Sequence, residues 1–225
     1  MRIQKIPFLI GLALITACGT AQPAQTLPPP TITIASTPTE LPTSIPTNTP
    51  VPPAATAVVI PIDDFEASET PWTAGTNTYF TDSSATSLAL TGEHVPQGKQ
   101  ALQLNFDMND KPKAIFFLDK QLDLSQARYL QFDLFNPGSL ASVGIAMLTG
   151  ADKVWFESDG MGVGAGKQAS LSFDLTAATY KAASTNWEFR ASIEDLHNVS
   201  RLAIIIYPAQ SGSIFVDNIR LSDTP

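Results

Sequence analysis

The sequence predicts an all-β domain built as a sandwich or barrel, and three observations carry that prediction. Segments such as 101–108, ALQLNFDM, and 129–136, YLQFDLFN, alternate apolar and polar residues, the pattern of a half-buried strand whose successive side chains point to opposite faces. The stretch 201–207, RLAIIIY, is apolar throughout and suits a strand covered on both faces. Helical patterning is confined to two short stretches, LTAATYKA at 175–182 and SIEDLHNV at 192–199, expected as decorations on loops.

The chain opens with a targeting segment, residues 1–17. Arg2 and Lys5 give a basic start, Ile6 to Ile15 an apolar run, and small residues lead into Cys18. The run is shorter than the roughly 20 apolar residues a membrane-spanning helix needs. ITAC resembles the lipobox of bacterial lipoproteins, which implies lipidation of Cys18 and stable anchoring by more than one acyl chain. The alternative is an ordinary secretory signal with a cysteine near its cleavage site. Gly19 rather than Asp after the cysteine favours exposure on the outer side of the bacterial cell envelope. Cys18 is the only cysteine, so the chain forms no internal disulfide.

Residues 18–60 are rich in Thr and Pro and nearly free of charge and aromatics, so they bury no core and are expected to form a disordered stalk. A polyproline-like segment of about 40 residues at about 3.1 Å each reaches roughly 120 Å. Residues 61–225 form the folded domain, of ordinary single-domain size. Within it, SVGIAML and KVWFES flank TGAD as a hairpin, and ASLSFDL and GSIFVDNIRL add strands. The glycine-rich stretch 160–168, GMGVGAGKQ, departs from a phosphate loop at Met161 and Gln168 and is expected to be a hairpin connection.

The formal charge of −8, without any Lys/Arg cluster, argues against nucleic acid as a partner. Nucleophilic catalysis has little to draw on: His94 lies in a Gly/Pro loop, His197 in a surface turn, and no strand carries a tight acid cluster. A non-catalytic protein is expected. One oddity remains in the last strand, where strict alternation places Asp217 on the same face as Phe215, Ile219 and Leu221.

DDFE at 63–66, Trp72, GKQALQLNF, LDLSQARYLQFDLFNPG, KVWFESDG, SFDL and GSIFVDNIRL occur in the order seen in jelly-roll carbohydrate-binding modules of the galactose-binding-like superfamily, which the domain resembles. The resemblance implies a jelly-roll β-sandwich and a structural calcium joining the first and last strands, held by Glu66, Asp217, a main-chain oxygen near Gly98, and Asp64 as a marginal ligand. Gln97 departs from the family pattern, where an acid often precedes that glycine. Without a metal, Asp217 would pair with main-chain amides or Arg220.

Sugar recognition needs outward aromatics and polar groups. If Val154 and Phe156 face the core, Trp155 and Glu157 share the outer face, and Tyr129, Gln131 and Asp133 form the same kind of row, with Tyr207 ending its strand nearby in pattern. These six are taken together as one ligand-binding face, against the plainer reading of an amphipathic surface with a stray aromatic. Trp72 and Trp187 read as hydrophobic plugs. The expectation is a monomeric, lipid-anchored, surface-exposed lipoprotein that binds polysaccharide. A cell-envelope interaction or structural domain is the first alternative, and an uncharacterised glycan-active hydrolase the second.

Overall fold

The computed structural model describes residues 58–76, 80–108 and 111–225. The targeting segment, Cys18 and nearly all of the stalk lie outside the described residues. Two antiparallel sheets pack face to face as a jelly-roll β-sandwich. Sheet A runs in the order β10 (Lys167–Asp174), β6 (Tyr129–Asn136), β13 (Gly212–Ser222), β4 (Ala101–Phe106), β3 (Ala85–Thr91), with β1 (Val59–Asp63) also on β13. Sheet B runs β11 (Tyr180–Lys181), β8 (Val154–Ser158), β7 (Ala141–Thr149), β12 (Val199–Pro208), β5 (Ala114–Leu122), β2 (Trp72–Ala74), with β9 (Met161–Val163) also on β7.

The alternation read from the sequence sets the core. Leu102, Leu104 and Phe106 of β4 meet Leu130, Phe132 and Leu134 of β6 within one apolar layer between the sheets. Burial of each such side chain contributes about 1.5–3 kcal/mol. Strand β12 is covered on both sides, as its composition requires. Leu202, Ile204 and Ile206 enter the main core, while Ala203 and Ile205 join a second cluster with Phe80, Ile115, Phe117 and Ala146.

Four expectations are corrected. No α-helix forms among the described residues: 175–182 is a turn leading into β11, and 192–199 is an extended turn segment leading into β12, with a single 3-10 turn, Ala183–Thr185, between the two stretches. Their few apolar residues are drawn into the core at a sandwich edge, which short helices lack the length to do on their own account. The glycine-rich stretch is not a hairpin loop, because β9 pairs with β7 in sheet B and β10 with β6 in sheet A, so the chain crosses between sheets there. Trp187 is no plug, being 54% exposed, whereas Trp72 is buried and donates its indole N–H to Asp63 Oδ2 at 3.0 Å.

The fourth correction concerns Asp217. Residues 212–216 of β13 pair with β4 and residues 219–222 pair with β1, and the register slips between the two. Asn218, at φ 52°, takes up the slip as a bulge. The core side therefore runs Ile214, Val216, then Ile219, Leu221. Asp217 sits at the slip, off that apolar row, yet it is only 1% exposed, because the 92–100 loop folds over it.

Candidate functional site

Strand β8 turns Phe156 inward and Trp155 and Glu157 outward, so alternation alone places both on the outer face of sheet B. Register then brings neighbours to them. Glu157 lies opposite Ala146 on β7 and Lys181 on β11, and Tyr207 stands at the end of β12. Glu157 is the hub of a closed polar cluster: its Oε1 accepts from Lys181 Nζ at 2.6 Å and from the Tyr207 hydroxyl. Its Oε2 lies 3.5 Å from Lys113 Nζ and accepts from the Trp155 indole N–H at 3.3 Å.

Burial pushes the Glu157 carboxyl up, but hydrogen bonds from Lys181 and Tyr207, with the charges of Lys113 and Lys181, outweigh it and hold the group below the ordinary glutamate range. The Tyr207 hydroxyl is driven far above its ordinary value, by burial first and then by donation to Glu157. With 2% of its surface exposed, Glu157 does not orient sugar hydroxyls itself; it fixes the groups around it. Beside the cluster opens a cleft of about 280 Å³ lined by Ser142, Ser158, Asp159, Lys181, Phe189 and Tyr207. Further along the same face, Phe80 packs on Phe117 and Trp155 at centroid distances of 5.3 and 6.0 Å, and Arg201 lies over the Phe117 ring at 4.3 Å. That part of the face is filled by the chain's own aromatics, so the open ground is at the Tyr207 end.

The grouping of all six candidate ligand residues on one face does not hold. Tyr129, Gln131 and Asp133 belong to β6 in sheet A, on the opposite side of the sandwich from Trp155, Glu157 and Tyr207. Period-two alternation says that a side chain points outward but not which sheet carries its strand. The polar groups of two of them are already engaged: Gln131 donates to Ser172 Oγ and the Thr224 carbonyl, and Asp133 accepts from Asn218 and Arg220. Arg128 stacks over the Tyr129 ring at 5.1 Å.

The residues named for calcium do come together. Asp64, Glu66, Gln97, Gly98, Asp217 and Asn218 line one pocket of about 100 Å³ where β13 passes from β4 to β1. Asp217 Oδ2 accepts from the Gln97 amide at 2.9 Å and Oδ1 from the Asn218 amide at 2.7 Å; Glu66 Oε1 accepts from the Lys99 and Gln100 amides at 2.6 and 3.1 Å. Gly98, at φ 77°, is needed there, since a Cβ would collide with Glu66 Oε1. Arg220 pairs with Asp133, not Asp217. Burial pushes the Asp217 carboxyl up, the two amides pull it down, and the charges of Asp133 and Glu66 add to the rise; the net shift is upward.

Sequence reasoning missed Lys113, Lys181, Asp159 and Phe189. Lys113 was accessible in principle, since it stands two and four residues before the outward Ile115 and Phe117. Lys181 had no usable signal, lying in a two-residue strand inside a stretch patterned like a helix.

Fold and site thus define a β-sandwich domain with an aromatic and polar outer face. No protein-family profile and no curated protein matches the sequence. Solved structures do. A family 11 carbohydrate-binding module from Clostridium thermocellum, in complex with a β-1,3-1,4-mixed-linked tetrasaccharide, matches with a TM-score of 0.54 and 14% identity, over 75% of this chain and 96% of its own. The family 11 module of a cellulosomal cellulase from the same organism gives 0.51 and 13%, over 74% and 95%. An exo-β-agarase gives 0.54 and 14% over 74% of this chain but only 25% of the agarase. At these identities the likeness establishes the fold: this chain has the jelly-roll sandwich of carbohydrate-binding modules.

Proposed function

We propose that the domain is a non-catalytic polysaccharide-binding module held outside the cell by a lipid on Cys18 and the Thr/Pro-rich stalk. The observation that carries this reading is the open cleft on the outer face of sheet B, where Tyr207 and Phe189 offer ring surface beside the hydroxyls and charges of Ser142, Ser158, Asp159 and Lys181. Sugar rings present apolar C–H faces and a hydroxyl rim, and a wall of that mixed kind suits both. The fold supports the reading by analogy only. Trp155, half-buried and tied to Glu157, packs on Phe80 beyond the cleft lining.

Affinity electrophoresis and calorimetry of the full chain against mixed-linked β-glucan, mannan and xylan test the reading. Binding to at least one polymer is expected. Tyr207→Ala, which removes a ring lining the cleft, should weaken it at least about tenfold, equivalent to about 1.4 kcal/mol. It should also lower the melting midpoint, because the Tyr207 hydroxyl donates to the buried Glu157. Binding is therefore measured well below the variant's own midpoint. Absence of binding to every polymer overturns the reading in favour of an envelope interaction domain, to which the exposed Trp187 and Phe189 would then belong. The anchor is tested by fractionation: Cys18→Ala should release the protein from membranes and abolish acyl labelling, and labelled lipid persisting on the variant would refute it.

A calcium ion at the β1–β13 junction is part of the same proposal. The donors are of the right kind: Asp64, Glu66 and Asp217 supply carboxylates around one pocket, with main-chain oxygen at Gly98, and calcium takes oxygen ligands. Negative charge gathered around a buried carboxyl whose affinity for protons is raised is what a cation would relieve. No three acidic, histidine or cysteine groups among the described residues cluster closely enough to form a metal centre by themselves, so main-chain oxygens would have to complete the shell. A ligand bound only by the folded state adds about 2.7 kcal/mol at a hundredfold excess over Kd. Chelation should lower the melting midpoint by several degrees, and Asp217→Ala should abolish that response. Identical melts with calcium and with chelator would remove the metal from the proposal.

A further inference from the structure

Strands β8 and β9 are one strand broken in two. Both pair with β7, β8 along residues 146–149 and β9 along residues 141–143, and the break falls at Ser158–Gly160 beside Gly144. Ser158 causes it, because its Oγ accepts the Ile145 amide at 2.9 Å in place of a ladder carbonyl. The gap is kept shallow by glycine: a Cβ on Gly160 would collide with Ser142 Oγ, and one on Gly144 would press to 3.0 Å from Ser158 Oγ.

The break opens two ways. The cleft of about 280 Å³ lies on the side of Tyr207, Lys181 and Phe189, and a second cleft of about 260 Å³ lies on the side of Met161, Ser172, Asp174, Thr179 and Tyr180. Ser158, Asp159 and Gly160 floor both. The second cleft reaches β10, so the two together pass from the outer face of sheet B around the sandwich edge to the border of sheet A.

We propose that these clefts form one continuous trough that takes an extended, hydroxyl-rich glycan chain around the sandwich edge, rather than a chain confined to the sheet face. This rests on the polysaccharide-binding reading and adds where the chain runs. Phe189, 46% exposed with the Lys181 ammonium 5.2 Å above its ring, is the wall on which a sugar ring stacks at the first cleft. Ser172, Thr179 and the Asp159 carboxylate meet hydroxyls in the second cleft and on the shared floor. The trough is not built for a polyanion. Lys181 is held by Glu157 at 2.6 Å, and Asp174 is matched by Arg128 at 2.6 Å, whose hydrogen bond, outweighing burial, brings the Asp174 carboxyl down to about 2. Asp159 adds negative charge, and its Oδ1 accepts only the neighbouring Gly160 amide among the hydrogen bonds seen.

The test uses the full chain and oligosaccharides from disaccharide to hexasaccharide, prepared from whichever of β-glucan, mannan or xylan binds. Affinity should rise at least tenfold from the shortest to the longest. Phe189→Ala should lower affinity for every length at least tenfold, while Thr179→Trp, at an exposed position in the second cleft, should leave the disaccharide unchanged and bring the hexasaccharide down to near the disaccharide value. Unchanged melting midpoints in both variants show that the fold is intact; should Thr179→Trp not fold, Thr179→Tyr serves the same purpose. A carboxymethylated form of the same polymer should bind more weakly than its neutral parent. If affinity does not depend on length, or if the hexasaccharide ignores the bulky residue at 179, the trough is wrong while the binding module stands. If the wild type binds no polymer, both fall.

Discussion

Asp217 and Glu157 are two carboxylates buried to nearly the same degree, 1% and 2% exposed, one at the bulge in sheet A and the other on the outer face of sheet B. Their surroundings differ in kind. Asp217 is held by two main-chain amides and has Asp133 and Glu66 as charged neighbours, so its proton affinity rises. Glu157 is held by two lysines, a phenol and an indole, so its proton affinity falls. Burial works upward on both, and the partner decides the outcome: amide dipoles do not balance a buried charge surrounded by like charges, whereas two ammonium groups do. The Glu157 cluster is therefore balanced as it stands, and the Asp217 pocket is the one whose negative charge is left unbalanced.

The largest expected effect comes from breaking the Glu157 cluster. Glu157→Ala leaves Lys113, Lys181 and the Tyr207 hydroxyl without their buried partner, a loss of about 3–5 kcal/mol. For a domain of this size each kcal/mol moves the midpoint by about 2–4 °C, so thermal denaturation should show a fall of roughly 6–20 °C. Asp133→Ala on the other sheet removes one partly buried pair with Arg220 and the Asn218 bond while relieving Asp217 of a like charge, and should cost less, about 1–2 kcal/mol. Equal losses from the two changes would mean that the Glu157 cluster is no tighter than the Asp133–Arg220 pair.

Acid titration sharpens the comparison with a smaller effect. Glu157, lowered from 4.5, and Asp174, lowered from 3.8 to about 2, each contribute stability that is present above the unfolded value and is lost as pH falls through the folded one. Asp217 is raised from 3.8, so its carboxylate destabilises the fold above its folded value, and that cost is relieved as pH falls toward 3.8. Denaturant melts from pH 6 to pH 3 should then show the stability of Glu157→Gln falling less steeply than wild type, and that of Asp217→Asn falling more steeply. Parallel curves for the two variants would show that both sites titrate alike.

Much of this was legible along the chain. Alternation identified β4, β6 and β8 and, with Phe156 facing inward, placed Trp155 and Glu157 outward; apolar content identified β12 as covered on both faces. Those are local consequences of a period of two and of apolar content, and they need no knowledge of a partner strand. The resemblance in DDFE, GKQALQLNF and VDNIRL named Asp64, Glu66, Gly98 and Asp217, which line one pocket. What alternation could not supply was the slip at Asn218, because a left-handed residue inside a strand shifts the phase without changing the composition.

What the sequence by itself determined about this protein is the all-β class, the order of the strands it patterned, and the direction in which the side chains of β4, β6 and β8 point. Only the tertiary structure decided that β6 and β8 lie in different sheets, and hence that Tyr129, Gln131 and Asp133 are remote from Trp155, Glu157 and Tyr207. It also decided that Lys113, just before β5, and Lys181, on β11, converge on Glu157, and that the broken strand at Ser158–Gly160 floors two clefts. The reason is physical: a strand's pattern records contact with apolar or polar surroundings, which is local, while sheet membership depends on which distant strand supplies its hydrogen bonds, and backbone amides and carbonyls are the same in every residue but proline.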